Sequence, residues 1–151
     1  MRLVLALLLA TGCLQPQTDP TPGPDPYGGW TGPSGTPLSG CERDADCGTQ
    51  VCARDGQCYP AASIRLAHTA WTVHGAVAST TSCADHLHLS IWFRGASGES
   101  FGFAPVPCMN GEFTVDKLPS VYTQVELGPE NTSFGTTATI DRSGEAKIDL
   151  P

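Results

Sequence analysis

Residues 61 to 151 alternate between apolar and polar positions. Leu87, Leu89, Ile91 and Phe93 fall on one side of an extended chain, and His86, His88, Ser90 and Trp92 on the other. Period-two patterning of this kind marks a half-buried strand. Shorter runs with β-forming character lie at 63–68, 70–78, 101–104, 112–115, 121–127, 136–140 and 146–150. Turn signals separate them: Asn110-Gly111, read as a two-residue hairpin turn, then Pro119-Ser120, Gly128-Pro129 and Ser143-Gly144. Nowhere do apolar residues recur at helical spacing over eleven or more positions. Seven or eight short strands with regular punctuation predict an all-β domain, a small antiparallel sandwich over 61–151.

A different pattern opens the chain. Met1 and Arg2 precede an unbroken apolar run from Leu3 to Ala10, followed by Thr11, Gly12 and Cys13. A charged start, an apolar middle and small residues at a cut site are the grammar of a secretory signal over 1–12. The run is far shorter than the roughly 20 residues that span a bilayer. Residues 13–40 then hold seven Pro and six Gly and almost nothing that could be buried. That composition predicts a disordered tether, about 80 Å long if fully extended. It would lift a folded domain clear of lipid headgroups.

Seven cysteines refine this picture. Setting Cys13 aside leaves six, an even number that suits an exported, oxidised protein. Cys41, Cys47, Cys52 and Cys58 fall within 18 residues and define a module over 41–60. Their spacing is wider than the close pairs of zinc sites, so a disulfide staple is expected. Four cysteines allow three connectivities and sequence does not choose among them. The alternating one, Cys41 with Cys52 and Cys47 with Cys58, is the working expectation. Val51 is the only aliphatic β-former inside, so the crosslinks must hold the module together, with Asp55-Gly56 as a tight turn between the last two cysteines. Cys83 and Cys108 flank the central strand and its return, and a bridge there would tie strand ends or sheets together. The tether, module and sandwich are each expected to behave independently, with a boundary at Pro60.

Three resemblances bear on location and class. Ala10-Thr11-Gly12-Cys13 resembles the lipobox of bacterial lipoproteins, which implies cleavage before Cys13, acylation of its sulfur and a stable membrane anchor. In that family an Asp at the second mature position tends to hold the protein in the inner membrane, so Leu14 there points to the outer membrane. The Cys-rich module, with Asp44-Ala45-Asp46-Cys47 and Asp55-Gly56-Gln57-Cys58, is similar to short segments of myxobacterial-type lipoproteins. The passage from Cys108 to Tyr122, with Gly111-Glu112-Phe113 and Leu118-Pro119, is similar to transthyretin-like and carboxypeptidase-regulatory-like sandwiches. This last likeness implies an Ig-like or transthyretin-like sandwich that binds or supports and is not itself catalytic.

Chemistry-bearing motifs are sparse. His86 and His88, with Asp85 adjacent, would place two imidazoles on one strand face, a geometry able to chelate a transition metal. Ser79, Thr80, Thr81 and Ser82 lie near these histidines, but no nucleophile elbow or placed base accompanies them. Glu42, Asp44 and Asp46 lack the spread of ligands of a calcium loop. No motif asks for a cofactor. Charge is 8 minus 15, or −7, and becomes −8 without Arg2. That balance excludes a nucleic-acid binder, which needs basic patches.

Two function classes follow. One is a non-catalytic, lipid-anchored envelope protein, periplasmic or surface-facing, whose sandwich binds protein or glycan or gives structural support. The other is an exported metal-binding protein using His86 and His88.

Overall fold

Strand β5 (His88–Gly95) is the alternating run made real, with Leu89, Ile91 and Phe93 fully buried and Ser90, Trp92 and Arg94 on the other side. The protein is described from a computed structural model covering residues 40–151 except 131, 133 and 134. The leader, Cys13 and the tether up to residue 39 lie outside the described residues.

The remaining strands are β1 (Val51–Cys52), β2 (Cys58–Tyr59), β3 (Ile64–Val73), β4 (Ala76–Val77), β6 (Ser100–Pro107), β7 (Glu112–Pro119), β8 (Tyr122–Pro129), β9 (Thr136–Thr139) and β10 (Glu145–Leu150). Short 3-10 turns are the only helical elements among the described residues. The fold is all-β, with two four-stranded sheets and a two-stranded ribbon formed by β1 and β2.

In one sheet the order is β6-β5-β8-β9, antiparallel throughout. Pro105 and Pro107 sit in β6, an edge strand, where a missing N–H costs no ladder bond. The other sheet is built on β3. Both β10 and β7 pair with its residues 68–70, so they occupy opposite edges, and β4 continues the β7 edge at Thr72 and Val73.

Four details depart from the sequence reading. The runs at 63–68 and 70–78 merge into the ten-residue β3, which ends at a turn where His74 and Gly75 both take positive φ, 51° and 74°. The pairing of β10 with β3 is parallel, because the chain reaches β10 by crossing from the opposite sheet. Asn110-Gly111 is not a hairpin turn. It closes a 3-10 turn over Cys108–Asn110, and Gly111, at φ 71°, carries the chain from β6 in one sheet to β7 in the other. Leu87 is 64 % exposed, since the strand begins only at His88.

The core fills the space between the sheets with Trp71, Val73, Phe93, Phe101, Val106, Phe113, Leu118, Tyr122, Val125 and their neighbours. Aromatic rings form a connected cluster: Phe93 stacks on Phe101 at 5.4 Å, Tyr122 meets Phe101 edge-on at 4.9 Å, and Phe103 bridges to Phe113 of the opposite sheet at 5.0 Å. Each such pair adds about 0.5–1.5 kcal/mol beyond area burial.

Three disulfides join Cys41 to Cys52, Cys47 to Cys58 and Cys83 to Cys108, with Cα separations of 5.7, 5.5 and 5.8 Å. Within 41–60 only Cys52 and Ala53 are buried, so crosslinks rather than apolar packing brace the module. The turn Asp55-Gly56 lies between β1 and β2, with Gly56 at φ 77° donating its N–H to the Ala53 carbonyl.

Polar bonds cross the boundary expected at Pro60. Arg54 donates two hydrogen bonds to Asp116, at 2.7 and 3.0 Å, and Lys117 Nζ donates to Asp44 at 2.7 Å. Those bonds hold the Asp116 and Asp44 carboxyls below their usual range. One Asp55 oxygen accepts from both Tyr59, at 2.8 Å, and the buried Tyr122, at 3.0 Å. Burial, with the Asp55 carboxylate beside it, pushes the Tyr59 phenol up to about 12 and Tyr122 further up still.

Two stability outcomes follow. Replacing Cys83 and Cys108 together by Ala should lower thermal stability by about 2–5 kcal/mol while a β-rich circular dichroism spectrum survives at low temperature. Asp55→Ala should cost about 1–3 kcal/mol, because the Tyr122 hydroxyl is left buried without its acceptor. A melting curve unchanged by Asp55→Ala would show that the Asp55–Tyr122 bond contributes nothing to the sandwich.

Candidate functional site: a tryptophan cleft on the outer sheet face

The outward half of the β5 alternation lines a polar cleft. Ser90, Trp92 and Arg94 project from β5, Glu126 and Gly128 from β8, and Thr132 and Gly135 close the far side, around a volume of about 270 Å3. Registry sets this arrangement: Trp92 sits opposite Glu126, Ser90 opposite Gly128 and Arg94 opposite Gln124. Arg94 reaches diagonally, and its Nε donates to a Glu126 oxygen at 2.6 Å. Glu126 is the better covered partner, with its side chain 18 % exposed against 45 % for Arg94.

Glycines shape the cleft by what they omit. Gly102, opposite Trp92 on β6, has no Cβ, and one placed there would stand 2.8 Å from the indole Cδ2 and 2.9 Å from Cε3. The six-membered ring of Trp92 therefore lies against the bare backbone of β6. A Cβ at Gly135 would likewise stand 2.8 Å from Glu126 Cγ. Around the same rim, Gly128, Thr132 and Gly135 also border an apolar hollow of about 310 Å3 lined by Leu127, Pro129, Thr136, Leu150 and Pro151.

Sequence reasoning placed Trp92 on the outward face but did not see it as a site residue. The available signal was the glycine between Phe101 and Phe103, because glycine inside a strand marks a close approach.

His86 and His88 do not share a strand face. His86 precedes the strand, half-buried with a sequestered Nδ1 that has no hydrogen-bond partner, whereas His88 is the exposed first residue of β5. Among the described residues, one group of three metal-ligand side chains lies close together, Cys41, Cys47 and Cys52, and its sulfurs are consumed in disulfides. The hydroxyls near the histidines cap a loop. Ser79 and Ser82 bond one another at 3.0 Å, and Ser82 donates to the Val77 carbonyl at 2.9 Å.

A second constellation, on the opposite sheet, was not foreseen. His68 of β3 lies between Glu145 of β10, 2.9 Å from Nδ1, and Glu112 of β7, 3.2 Å from Nε2. Hydrogen bonding to Glu145 first, and to Glu112 second, raises its pKa against the opposing cost of burial. With both ring nitrogens engaged, His68 has neither a free base nor a free ligand position. It clamps three strands.

No known protein family, curated protein or solved structure matches the chain.

The clamp has a pH signature. His68 has a folded pKa above its unfolded value near 6.5, so its contribution is complete below about pH 6.5 and is lost as pH rises through the folded value. His68→Gln should therefore cost stability at pH 5.5 and little at pH 9. In a histidine NMR titration the His68 midpoint should exceed 6.5 and fall more in Glu145→Gln than in Glu112→Gln. An equal loss at both pH values would contradict the clamp.

Proposed function

We propose that this chain is a non-catalytic, lipid-anchored envelope protein that presents its sandwich outward and binds a partner on the outer face of the β6-β5-β8-β9 sheet. The observation that carries the reading is the half-buried Trp92 laid on Gly102 beside the Arg94–Glu126 pair. Apolar side chains of β5 are otherwise turned inward, whereas Trp92 stands on the solvent side and borders the cleft. Anchoring is supported by the lipobox resemblance at Cys13 and by the Pro/Gly tract that follows it. Acidity fits a domain held away from anionic headgroups.

The two halves are tested separately. Cys13→Ser should abolish labelling by a fatty-acid analogue and release the protein from the membrane fraction, and a variant that still partitions with membranes would contradict anchoring. For binding, a photo-crosslinking residue at Gln124, beside the cleft, should capture an envelope component from intact cells. The same residue at Lys147, on β10 of the opposite sheet, should not. Equal capture at both positions would remove the assignment of the face.

A further inference from the structure

We propose that the Trp92 cleft is a saccharide site that takes one uncharged pyranose unit of a glycan. This rests on the binding reading above and adds its ligand class.

The chemistry of the lining selects that class. Trp92 is held with its six-membered ring against the bare backbone at Gly102, and the part of the half-buried indole that borders the cleft is the platform the proposed ligand would use. An aromatic face is electron-rich, and the axial C–H bonds of a pyranose present a patch of small positive charge to it. Around that platform stand polar groups. The Arg94–Glu126 bond occupies Nε and one carboxylate oxygen. The terminal guanidinium nitrogens and the second oxygen bond no described residue and remain as donors and acceptor for ring hydroxyls. Among the described residues of the lining, Arg94 and Glu126 are the charged ones, and their charges cancel. A phosphate, a carboxylate or a cation would meet one attractive and one repulsive charge, while a neutral hydroxylated ring meets a donor and an acceptor side by side.

Size agrees with this class. About 270 Å3 falls just below the roughly 300–1,000 Å3 of pockets for drug-sized ligands. That suits one ring with its chain continuing into solvent. Ser90 adds a hydroxyl to the lining.

The test is a calorimetric titration of the full-length protein in detergent with a panel of neutral oligosaccharides of glucose, mannose, galactose and N-acetylglucosamine. At least one should bind saturably. Trp92→Ala and Glu126→Gln should each weaken that binding tenfold or more, and Trp92→Phe less. Because Trp92 also covers Gly102, its Ala variant is checked by melting curve, and Glu126→Gln, which keeps the indole in place, serves as the second variant. Saccharide binding unaffected by both variants would overturn the assignment to this cleft. Failure of every saccharide, with Trp92-dependent capture of a protein at the Gln124 crosslinker, would overturn the ligand class and leave the binding reading standing. Failure of both would overturn the two together.

Discussion

Cys108 is the junction on which the two sheets depend. Its sulfur is bonded to Cys83, its N–H donates to the Leu87 carbonyl at 3.1 Å, and its carbonyl accepts the Trp71 indole N–H at 2.8 Å. Fully buried, it sits where the chain leaves β6 in one sheet for β7 in the other. The disulfide thus anchors the segment entering β5, and the Trp71 bond ties β3 of the opposite sheet to the same point. A domain of this size buries a limited core, so one covalent and two hydrogen-bonded links at a crossover carry weight out of proportion to their number. At the other end of β7, the stapled module bonds to Asp116, Lys117 and Tyr122. The sandwich is braced at both ends of that strand.

Bracing from within leaves the outer faces free to differ. On the β3 sheet, His68 is used up between two glutamates and holds β10, β3 and β7 together. The β5 sheet instead lays a tryptophan over a glycine and sets an ion pair beside it. An ion pair with its Arg94 half at the surface contributes about 1 kcal/mol or less to stability. In the proposed site the pair serves as a matched donor and acceptor next to an aromatic ring. The chain accordingly places its clamp on one side and its cleft on the other.

What the sequence made legible was local. Leu89, Ile91 and Phe93 announce a half-buried strand by their spacing alone, and the crowding of Cys41 to Cys58 announces a staple. What it did not show was long-range. His68 meets partners 44 and 77 residues away, Arg54 meets Asp116 across 62, and the parallel partner of β3 is the last strand of the chain. Pairings of that separation are decided by sheet order, which alternation does not encode. Alternation running through Leu87 predicts His86 on a strand, but the disulfide-tied loop holds both residues outside it. The cleft was half visible: Trp92 read as outward, while the role of Gly102 depends on a register known only once β5 and β6 are paired.

The central claim is that the outer face at Trp92, and not the buried or opposite face, meets the ligand. Indole N–H resonances of the full-length protein, recorded by NMR before and after addition of glycan extracted from the cell envelope, test it most directly. Trp92 should shift while Trp71, whose N–H is bonded inside the core to Cys108, stays in place. A Trp92 resonance that does not move, whatever the others do, would contradict the account.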